Sequence, residues 1–304
     1  MPGLYVLGNF TIDDVVYHGA DVHWDQPGGN ALYSALGAQI WMPDVGVLAR
    51  LGNDYPTKHL DALRRRGLRL AVREIDHPNI HNWSLYEEGG DRRFINHRSS
   101  GTHNEMSIRP EDLCAEDRQA RAYHVAPMPT DIQLGLVRAL KRPDSLVSLD
   151  PHLDYLNGHE PELDAMLRIV DFFLPSREEA RVAYGADRPE DAARHFGASG
   201  PRAIVVKLGE DGSLVYDRSS GRMVHVPVVP VAVQDLTGAG DAYCGGFIAG
   251  MLSTGDPIEA ALYGTVSASY VVESRGAVAV PAPNHADATR RLDALRAIVR
   301  AGLH

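Results

Sequence analysis

Cysteine, basic charge and long apolar runs are all scarce in this chain of 304 residues. Its two cysteines, Cys114 and Cys244, allow one disulfide at most, which excludes a disulfide-stabilised scaffold. There are 30 basic against 40 acidic residues, so the net charge is −10. Because polyanion binders usually carry a basic excess, this balance argues against nucleic acid as the main partner, although a local pocket for a small anion remains compatible with it.

Signals for membrane insertion and secretion are also missing. The apolar share of 44% is that of an ordinary globular chain with a sizeable core. The sequence contains no run of 18 or more apolar residues, so we expect neither a membrane span nor a membrane partner. No Lys or Arg precedes Arg50, which argues against the basic start of a signal peptide. We therefore expect a cytoplasmic protein.

Short β-type runs alternate with helical patterns along most of the chain. The strand candidates are residues 4–7, 45–49, 122–126, 146–149, 170–174 and 203–207, and the helix candidates between them are 30–41, 56–66, 131–141, 162–168, 177–184 and 189–196. This alternation predicts an α/β fold with three layers (α/β/α) and a mostly parallel central sheet. Near the end, Leu292, Leu295, Ile298 and Val299 share one helical face, which predicts a helix packed on that sheet.

Two segments, at about 14–24 and 79–97, interrupt the alternation because they contain no crossover helix. In the second segment, residues 81–87 and 92–96 flank Glu88-Gly89-Gly90-Asp91, a turn signal that predicts a β-hairpin. We expect these pieces to form a small β-lid outside the central sheet. No linker or internal repeat divides the chain, so we expect a single domain over residues 1–304.

The segment Asp235-Leu236-Thr237-Gly238-Ala239-Gly240-Asp241 is the most informative one for chemistry. It follows a β-rich stretch and opens an apolar helical pattern at 242–252. Small residues let backbone N–H groups approach a ligand, and a helix start favours an anion. A carboxylate beside a phosphate is unfavourable unless it accepts a proton, and phosphoryl transfer needs this combination of donors and base. The alternative is a simple Asp cap on a glycine-rich turn.

Other motifs for phosphate or metal binding are absent from the sequence. A Walker A loop ends in Gly-Lys-Ser/Thr, whereas the three lysines Lys58, Lys141 and Lys207 follow Thr, Leu and Val. Protein-kinase motifs are missing as well. The 14 histidines show no metal-ligand spacing, so we interpret them as surface or core residues.

Taken together, the motifs resemble the ribokinase-like (PfkB-type) carbohydrate kinase family over nearly the whole chain. The matching positions are Gly8 with Asp13 five residues later, Pro27-Gly28-Gly29, residues 47–54, Asp150-Pro151, residues 205–212, residues 235–241, and residues 273–277 with Pro281. The resemblance implies the ribokinase-like fold and an ATP-dependent phosphotransferase that acts on a hydroxyl of a small sugar or related polyol.

The resemblance also implies roles for individual residues. Asp241 would be the general base, and the amides of Gly238, Ala239 and Gly240 would form an anion hole. The substrate-binding candidates are Asp13, Gly28, Gly29, Asn30 and Tyr33. The candidates for binding ATP are Lys207, Gly209, Thr237, Gly238, Gly240, Thr265 and Gly276. Glu179 would hold Mg²⁺ through water, and a monovalent cation, K⁺, would lie near Asp235 and Thr237.

Four positions depart from the family pattern. Leu236 stands where the family usually has a small or hydroxyl residue. Ser176 stands where the family has Asn, Tyr33 where an Asn is common, and Lys207 where a Thr is common. These changes leave two alternatives open: a nucleoside kinase of the same fold, and a non-catalytic regulator that binds a sugar or nucleotide. Because lids of this family often pair between subunits, the resemblance also implies a homodimer through the lid.

Overall fold

The computed structural model describes residues 2–19, 21–87, 92–185, 187–282 and 284–301. The strands in these ranges are β1 (Leu4–Leu7), β2 (Thr11–Tyr17), β3 (Asp21–Gly28), β4 (Val45–Gly52), β5 (Arg69–Ile75), β6 (Ile80–Tyr86), β7 (Arg92–Asn96), β8 (Ala122–Val125), β9 (Leu146–Leu149), β10 (Phe172–Phe173), β11 (Ala203–Lys207), β12 (Ser213–Asp217) and β13 (Arg222–Val226). The α-helices are α1 (Asn30–Gln39), α2 (Thr57–Arg65), α3 (His103–Met106), α4 (Thr130–Leu140), α5 (Glu160–Leu167), α6 (Arg177–Tyr184), α7 (Pro189–Ser199), α8 (Ala239–Thr254), α9 (Pro257–Val272) and α10 (His285–Ala301).

Nine of the described strands form the main sheet, in the order β13-β12-β11-β10-β9-β8-β1-β4-β5. Pairing is parallel from β5 through to β11. Only the last two pairings, β11 with β12 and β12 with β13, are antiparallel within the described residues. The mostly parallel central sheet is therefore confirmed. Strand order runs outward in both directions from the neighbours β1 and β8, and ligands of such sheets bind near the reversal, at the carboxyl ends of the strands.

Side chains alternate between two hydrophobic cores, one on each face of the main sheet. In β1, Leu4 and Val6 enter the first core, whereas Tyr5 and Leu7 enter the second. Helices α1, α2, α8 and α9 contribute buried residues to the first core, and α4, α5, α6 and α7 contribute to the second. Strands buried on both faces need continuous apolar runs, which is the pattern seen in the sequence. The three-layer α/β/α architecture is thus confirmed.

Helices α1 and α8 pack closely enough to position the start of α8 firmly. A Cβ atom at Gly245 of α8 would lie 1.8 Å from the carbonyl oxygen of Ser34 in α1. The C-terminal helix α10 packs against α9, with ion pairs such as Arg296 with Glu259, and also contacts the edge strand β13 of the main sheet. Ile298 is 52% exposed, so its predicted place on the buried face of α10 is wrong; Leu292, Leu295 and Val299 are buried there.

A second sheet stands apart from the main one, with the strand order β3-β2-β6-β7. It contains most of the two segments predicted at about 14–24 and 79–97, and it pairs β6 with β7 as an antiparallel hairpin. The predicted turn Glu88-Gly89-Gly90-Asp91 lies outside the described residues. Both Cys114 and Cys244 are free, so the disulfide that the composition allows is not formed. No helix in the described ranges is both long enough and apolar enough to cross a membrane.

Candidate active site

A buried ion pair lies at the carboxyl edge of the main sheet. Asp150 follows β9 and Lys207 ends β11, and the Nζ atom of Lys207 lies 2.6 Å from each carboxylate oxygen of Asp150. Burial alone favours the neutral amine, but the adjacent carboxylate of Asp150 outweighs it and raises the pKa of Lys207. Burial in turn raises the pKa of Asp150 to about 7, against the opposing charge of Lys207. Lys207, predicted to bind ATP, is held by Asp150 in this structure.

The start of α6 meets the same edge. Ser176 forms an isolated parallel β-bridge with Lys207. The hydroxyl of Ser176 accepts a hydrogen bond from the backbone N–H of Glu179 at 3.2 Å. Glu179 in turn accepts the backbone N–H of Ser176 through Oε2 at 2.7 Å, which completes a capping box. Ser176, the departure from the family's Asn, thus acts as the N-cap of α6. The charge of Glu179 raises the pKa of both members of the ion pair, Asp150 and Lys207.

Helix α8 begins beside this cluster, as the sequence predicts. Its N-cap Gly238 has a left-handed φ of 75° and makes no side-chain cap hydrogen bond. A Cβ at Gly240 would lie 3.8 Å from the Nζ of Lys207. Asp241 is in the first turn, and its charge acts on Asp150. An uncapped helix start beside an ammonium fits a phosphate group, so the residues present are suited to ATP.

The predicted substrate residues Asp13, Gly28 and Gly29 lie together at the root of the second sheet. Asp13 is 8% exposed, and its Oδ1 accepts the side-chain amide of Asn82 at 3.3 Å. A Cβ at Gly28 would lie 1.9 Å from Oδ2 of Asp13. Gly29 has a φ of 102°, and a Cβ there would lie 2.2 Å from the carbonyl oxygen of Asn9. Both positions therefore require glycine. Burial raises the pKa of Asp13 to about 6, against the opposing hydrogen bonds from Thr11 and Asn82.

Asn30 and Tyr33, also predicted to contact substrate, have structural neighbours in α1. The Oδ1 of Asn30 accepts the backbone N–H of Asn9 at 2.9 Å, and its Nδ2 donates to the carbonyl of Pro127 at 2.6 Å. Asn30 therefore ties the end of β1 to α1. Tyr33 is buried, and a Cβ at Gly238 would lie 2.1 Å from its Cγ. The ring of Tyr33 therefore lies against the start of α8.

A tyrosine of the second sheet reaches the 235–237 loop. The hydroxyl of Tyr86 donates to Oδ1 of Asp235 at 2.6 Å and lies 2.6 Å from Oγ1 of Thr237. Asp235 also accepts the backbone N–H of Thr237 at 2.7 Å and, at 3.4 Å, that of Gly276. The structure therefore brings Asp235, Thr237 and Gly276 together, with Tyr86 as a contact that the sequence did not predict.

Two further ATP-binding candidates have different surroundings. Gly209 is exposed, with a φ of 65°, at the turn after β11. Thr265 is buried in α9. Its hydroxyl donates a hydrogen bond to the carbonyl of Ala261, one turn earlier in the same helix, at 3.0 Å.

Three residues of this region were missed as site residues at the sequence level: Asp150, Asn82 and Tyr86. Asp150 carried a signal, since a charge directly after a buried apolar strand commonly lies at a ligand-binding edge. Asn82 also carried one, because Asn82 and Ser84 alternate with larger residues in a strand, and both are buried. Tyr86 carried none, because its partner Asp235 lies 149 residues away in the chain.

Comparisons with known proteins place the chain in a family. The model of the pfkB family carbohydrate kinases matches residues 12–284. A cytidine kinase of Thermococcus kodakarensis is 32% identical over 263 residues, which cover 85% of this chain and 91% of that protein. A 2-dehydro-3-deoxygluconokinase of Thermoproteus tenax is 34% identical, with 79% of this chain and 78% of that protein covered.

The solved structures agree on the fold. A ribokinase from Giardia lamblia superimposes with a TM-score of 0.78 at 18% identity, covering 97% of this chain and 99% of that one. Kinases of this family use ATP with Mg²⁺. The resemblance drawn from the motifs is confirmed: the chain belongs to the pfkB family of carbohydrate kinases and is a phosphotransferase for a sugar or nucleoside.

Proposed function

We propose that this protein transfers the terminal phosphoryl group of ATP to a hydroxyl of a small sugar or related polyol, with Asp241 as the general base. One observation carries the proposal. Helix α8 starts without a side-chain cap and bears Asp241 in its first turn, beside Lys207 on one side and the Tyr33 ring on the other. Donors for a phosphoryl group and a base for an alcohol therefore share one helix turn.

In the proposed transfer, different residues bind the acceptor, accept its proton and stabilise the phosphoryl group. Asp13 and the backbone at Gly28 and Gly29 bind and orient the acceptor alcohol, since a carboxylate can accept two sugar hydroxyls. Asp241 takes the proton of the attacking hydroxyl, whose oxygen forms a bond to the terminal phosphorus as the bond to the ADP oxygen breaks. The amides at 238–240 stabilise the charge on the transferring group.

Magnesium would neutralise the charge of the phosphates during transfer. Glu179 is the residue that would hold it, through water. One of its oxygens is committed to the N–H of Ser176, but its charge acts on Asp150 and Lys207 at the same edge. A K⁺ ion near Asp235 and Thr237, a lid function of the second sheet and a homodimer through that sheet also belong to this proposal.

The Asp241→Asn variant tests the assignment of the base. We expect kcat to fall by about 10² to 10⁴-fold, the range for loss of general base catalysis, while the affinity for ATP stays within a few-fold. The measurement is ADP release with a panel of sugars, polyols and nucleosides, together with ATP binding by calorimetry. Asp131, an exposed residue in the first turn of α4, provides the matched control as Asp131→Asn.

Two results would contradict this proposal. Turnover of Asp241→Asn within a few-fold of the parent would remove Asp241 as the base. Binding of a sugar or nucleotide without turnover of any acceptor by the parent protein would favour the non-catalytic regulator instead.

A nucleoside is the second candidate acceptor, and an aromatic side chain of the second sheet favours it. Phe94 in β7 pairs with Ser84, two residues along β6 from Asn82, so Phe94 is on the same sheet face as Asp13. Its side chain is 49% exposed, which suits stacking against a base. The relative from Thermococcus kodakarensis is named for cytidine.

The Phe94→Ala variant separates the two acceptors. Stacking of one base contributes about 1–3 kcal/mol, so we expect the KM for cytidine to rise at least several-fold and the KM for a free sugar to stay unchanged. Steady-state kinetics with both acceptors measure this. Ile95→Ala is the matched control, because Ile95 is 50% exposed on the opposite face. An unchanged KM for cytidine, or no turnover of any nucleoside, would exclude this candidate.

A further inference from the structure

Two histidines and an aspartate converge on the face of the second sheet opposite Asp13. The Nε2 atom of His81 lies 3.3 Å from Oδ2 of Asp14, and the Nε2 atom of His97 lies 3.2 Å from the same oxygen. One ligand atom from each of the three residues lies within 4.8 Å of the other two. The three residues are far apart in sequence, so their spacing gave no sign of this cluster.

The backbone holds these three side chains in place. Asp14 is on β2, His81 is on the neighbouring β6, and His97 directly follows β7. The N–H of His97 donates to the carbonyl of His81 at 2.9 Å, and the two imidazole rings stack with centroids 3.9 Å apart. Oδ1 of Asp14 accepts the N–H of Asp25 at 2.9 Å. This bond orients the carboxylate and leaves Oδ2 directed toward the two imidazoles.

Hydrogen bonding does not account for the arrangement. The Nε2 atoms of His81 and His97 are buried, and neither makes a hydrogen bond within the described part of the chain. Their distances to Asp14 are short enough for a hydrogen bond, but the alignment that such a bond needs is missing. Buried polar atoms without a partner are uncommon and often mark an ion or water site.

The two nitrogen–oxygen distances agree with metal ligation. Zinc binds histidine nitrogen and carboxylate oxygen at about 2.0–2.2 Å, so two ligands on neighbouring corners of its tetrahedron lie about 3.3 Å apart. The measured separations between nitrogen and oxygen are 3.2 and 3.3 Å. Two imidazoles and one carboxylate suit zinc and other first-row transition metals, whereas Mg²⁺ prefers oxygen ligands alone.

We propose that Asp14, His81 and His97 form a zinc site in the second sheet, separate from the magnesium site of phosphoryl transfer. The three residues supply three of the four ligands, and a water molecule completes the tetrahedron. Bound zinc would link β2, β6 and the end of β7. Two ligands are sequence neighbours of Asp13 and Asn82, so zinc would also fix those residues; this last consequence rests on the proposed function.

Zinc binding to the protein alone tests the site, without ATP or acceptor, so the outcome is independent of the proposed activity. The protein, carrying no polyhistidine tag, is freed of metal with EDTA and titrated with Zn²⁺ in competition with a chromogenic chelator. We expect one equivalent of zinc per chain. The His97→Gln variant should bind it at least about 100-fold more weakly, since losing an outer-shell partner alone costs 10–100-fold.

Three controls make the result decisive. His23→Gln, which alters a histidine on β3 of the same sheet that pairs with Asp21, should keep the parent affinity. Asp14→Asn keeps an oxygen for the N–H of Asp25 but loses the charge, and it serves if His97→Gln does not fold. Co²⁺ in the parent protein should give the visible absorption of a tetrahedral site. Failure of the parent protein to bind zinc, or equal affinity in the parent and both ligand variants, would overturn the proposal.

Discussion

The main sheet and the second sheet differ in how they accommodate a buried carboxylate. On the main sheet, the carboxylate of Asp150 has a full ion pair with Lys207. On the second sheet, the carboxylate of Asp13 accepts a hydrogen bond from Asn82 and makes no ion pair with a Lys or Arg side chain of the described residues. Burial raises the pKa of both carboxyls, to about 6 for Asp13 and, against the opposing charge of Lys207, to about 7 for Asp150.

The two carboxylates differ in whether their partner is already present before a ligand binds. The ammonium of Lys207 lies against Asp150 before any ligand binds, so this edge of the main sheet is preorganised. The carboxylate of Asp13 lacks such compensation, and the hydroxyl groups of an acceptor would supply the missing donors. A buried carboxylate with few donors is unfavourable in the free protein and favourable once it binds an alcohol.

The largest expected effect comes from breaking the ion pair of the main sheet. In the Lys207→Met variant Asp150 is left buried without its partner, and we expect a loss of about 3–5 kcal/mol in the free energy of unfolding. Urea unfolding measures it. Arg64→Met is the control, because Arg64 and Asp61 are both 52% exposed and their pair should contribute less than about 1 kcal/mol. Similar losses in the two variants would contradict the importance of burial here.

An intermediate effect concerns a buried histidine of the main sheet. His124 of β8 is fully buried, with Nδ1 2.9 Å from Oγ of Ser148, and burial lowers its pKa to about 3. The unfolded chain takes up a proton near pH 6.5, whereas the folded one does not. The stability contributed by neutral His124 is therefore present above pH 6.5 and is lost as the pH falls toward 3.

The His124→Leu variant measures this contribution. At 1.36 kcal/mol per pKa unit, the parent should lose about 2 kcal/mol more than the variant between pH 6.5 and pH 5. Urea unfolding across this range gives the difference. His285→Leu, at the exposed start of α10, should retain the slope of the parent. An equally steep loss in His124→Leu would show that other groups cause it.

The smallest effect concerns the contact between the two regions. The Tyr86→Phe variant removes the hydroxyl that binds Asp235 and Thr237, which should cost about 1 kcal/mol of stability. If the second sheet acts as a lid, ADP release without an acceptor should rise a few-fold because water enters the cleft. Thermal unfolding and ADP assays measure the two effects. Tyr184→Phe, 41% exposed on α6, is the control. Unchanged ADP release would show that Tyr86 does not help the second sheet to close as a lid.

Contiguous motifs account for the part of the site that could be predicted. Asp241 and the glycines before it are neighbours in sequence, and the change from a polar loop to an apolar helical run shows where α8 begins. Gly28 and Gly29 likewise precede α1 directly. Local rules suffice in these places because the backbone conformation depends on residues a few positions away.

Contacts between distant segments could not be predicted. Nothing in the sequence indicated that Lys207 pairs with Asp150, 57 residues earlier. The histidines of the second sheet were interpreted singly, because nothing in their spacing shows that His97 follows a strand paired with the one bearing His81. Strand register decides such neighbours, and register depends on the whole sheet.

The sequence by itself determined the alternation of strands and helices, the mostly parallel sheet and the place where α8 begins. These features follow from apolar periodicity and from glycines that allow conformations other residues avoid. Only the tertiary structure decided which charge compensates Asp150, which tyrosine contacts Asp235 and which imidazoles surround Asp14. Such pairings join segments that are remote in the chain, and only the packing of sheets and helices sets the distances between them.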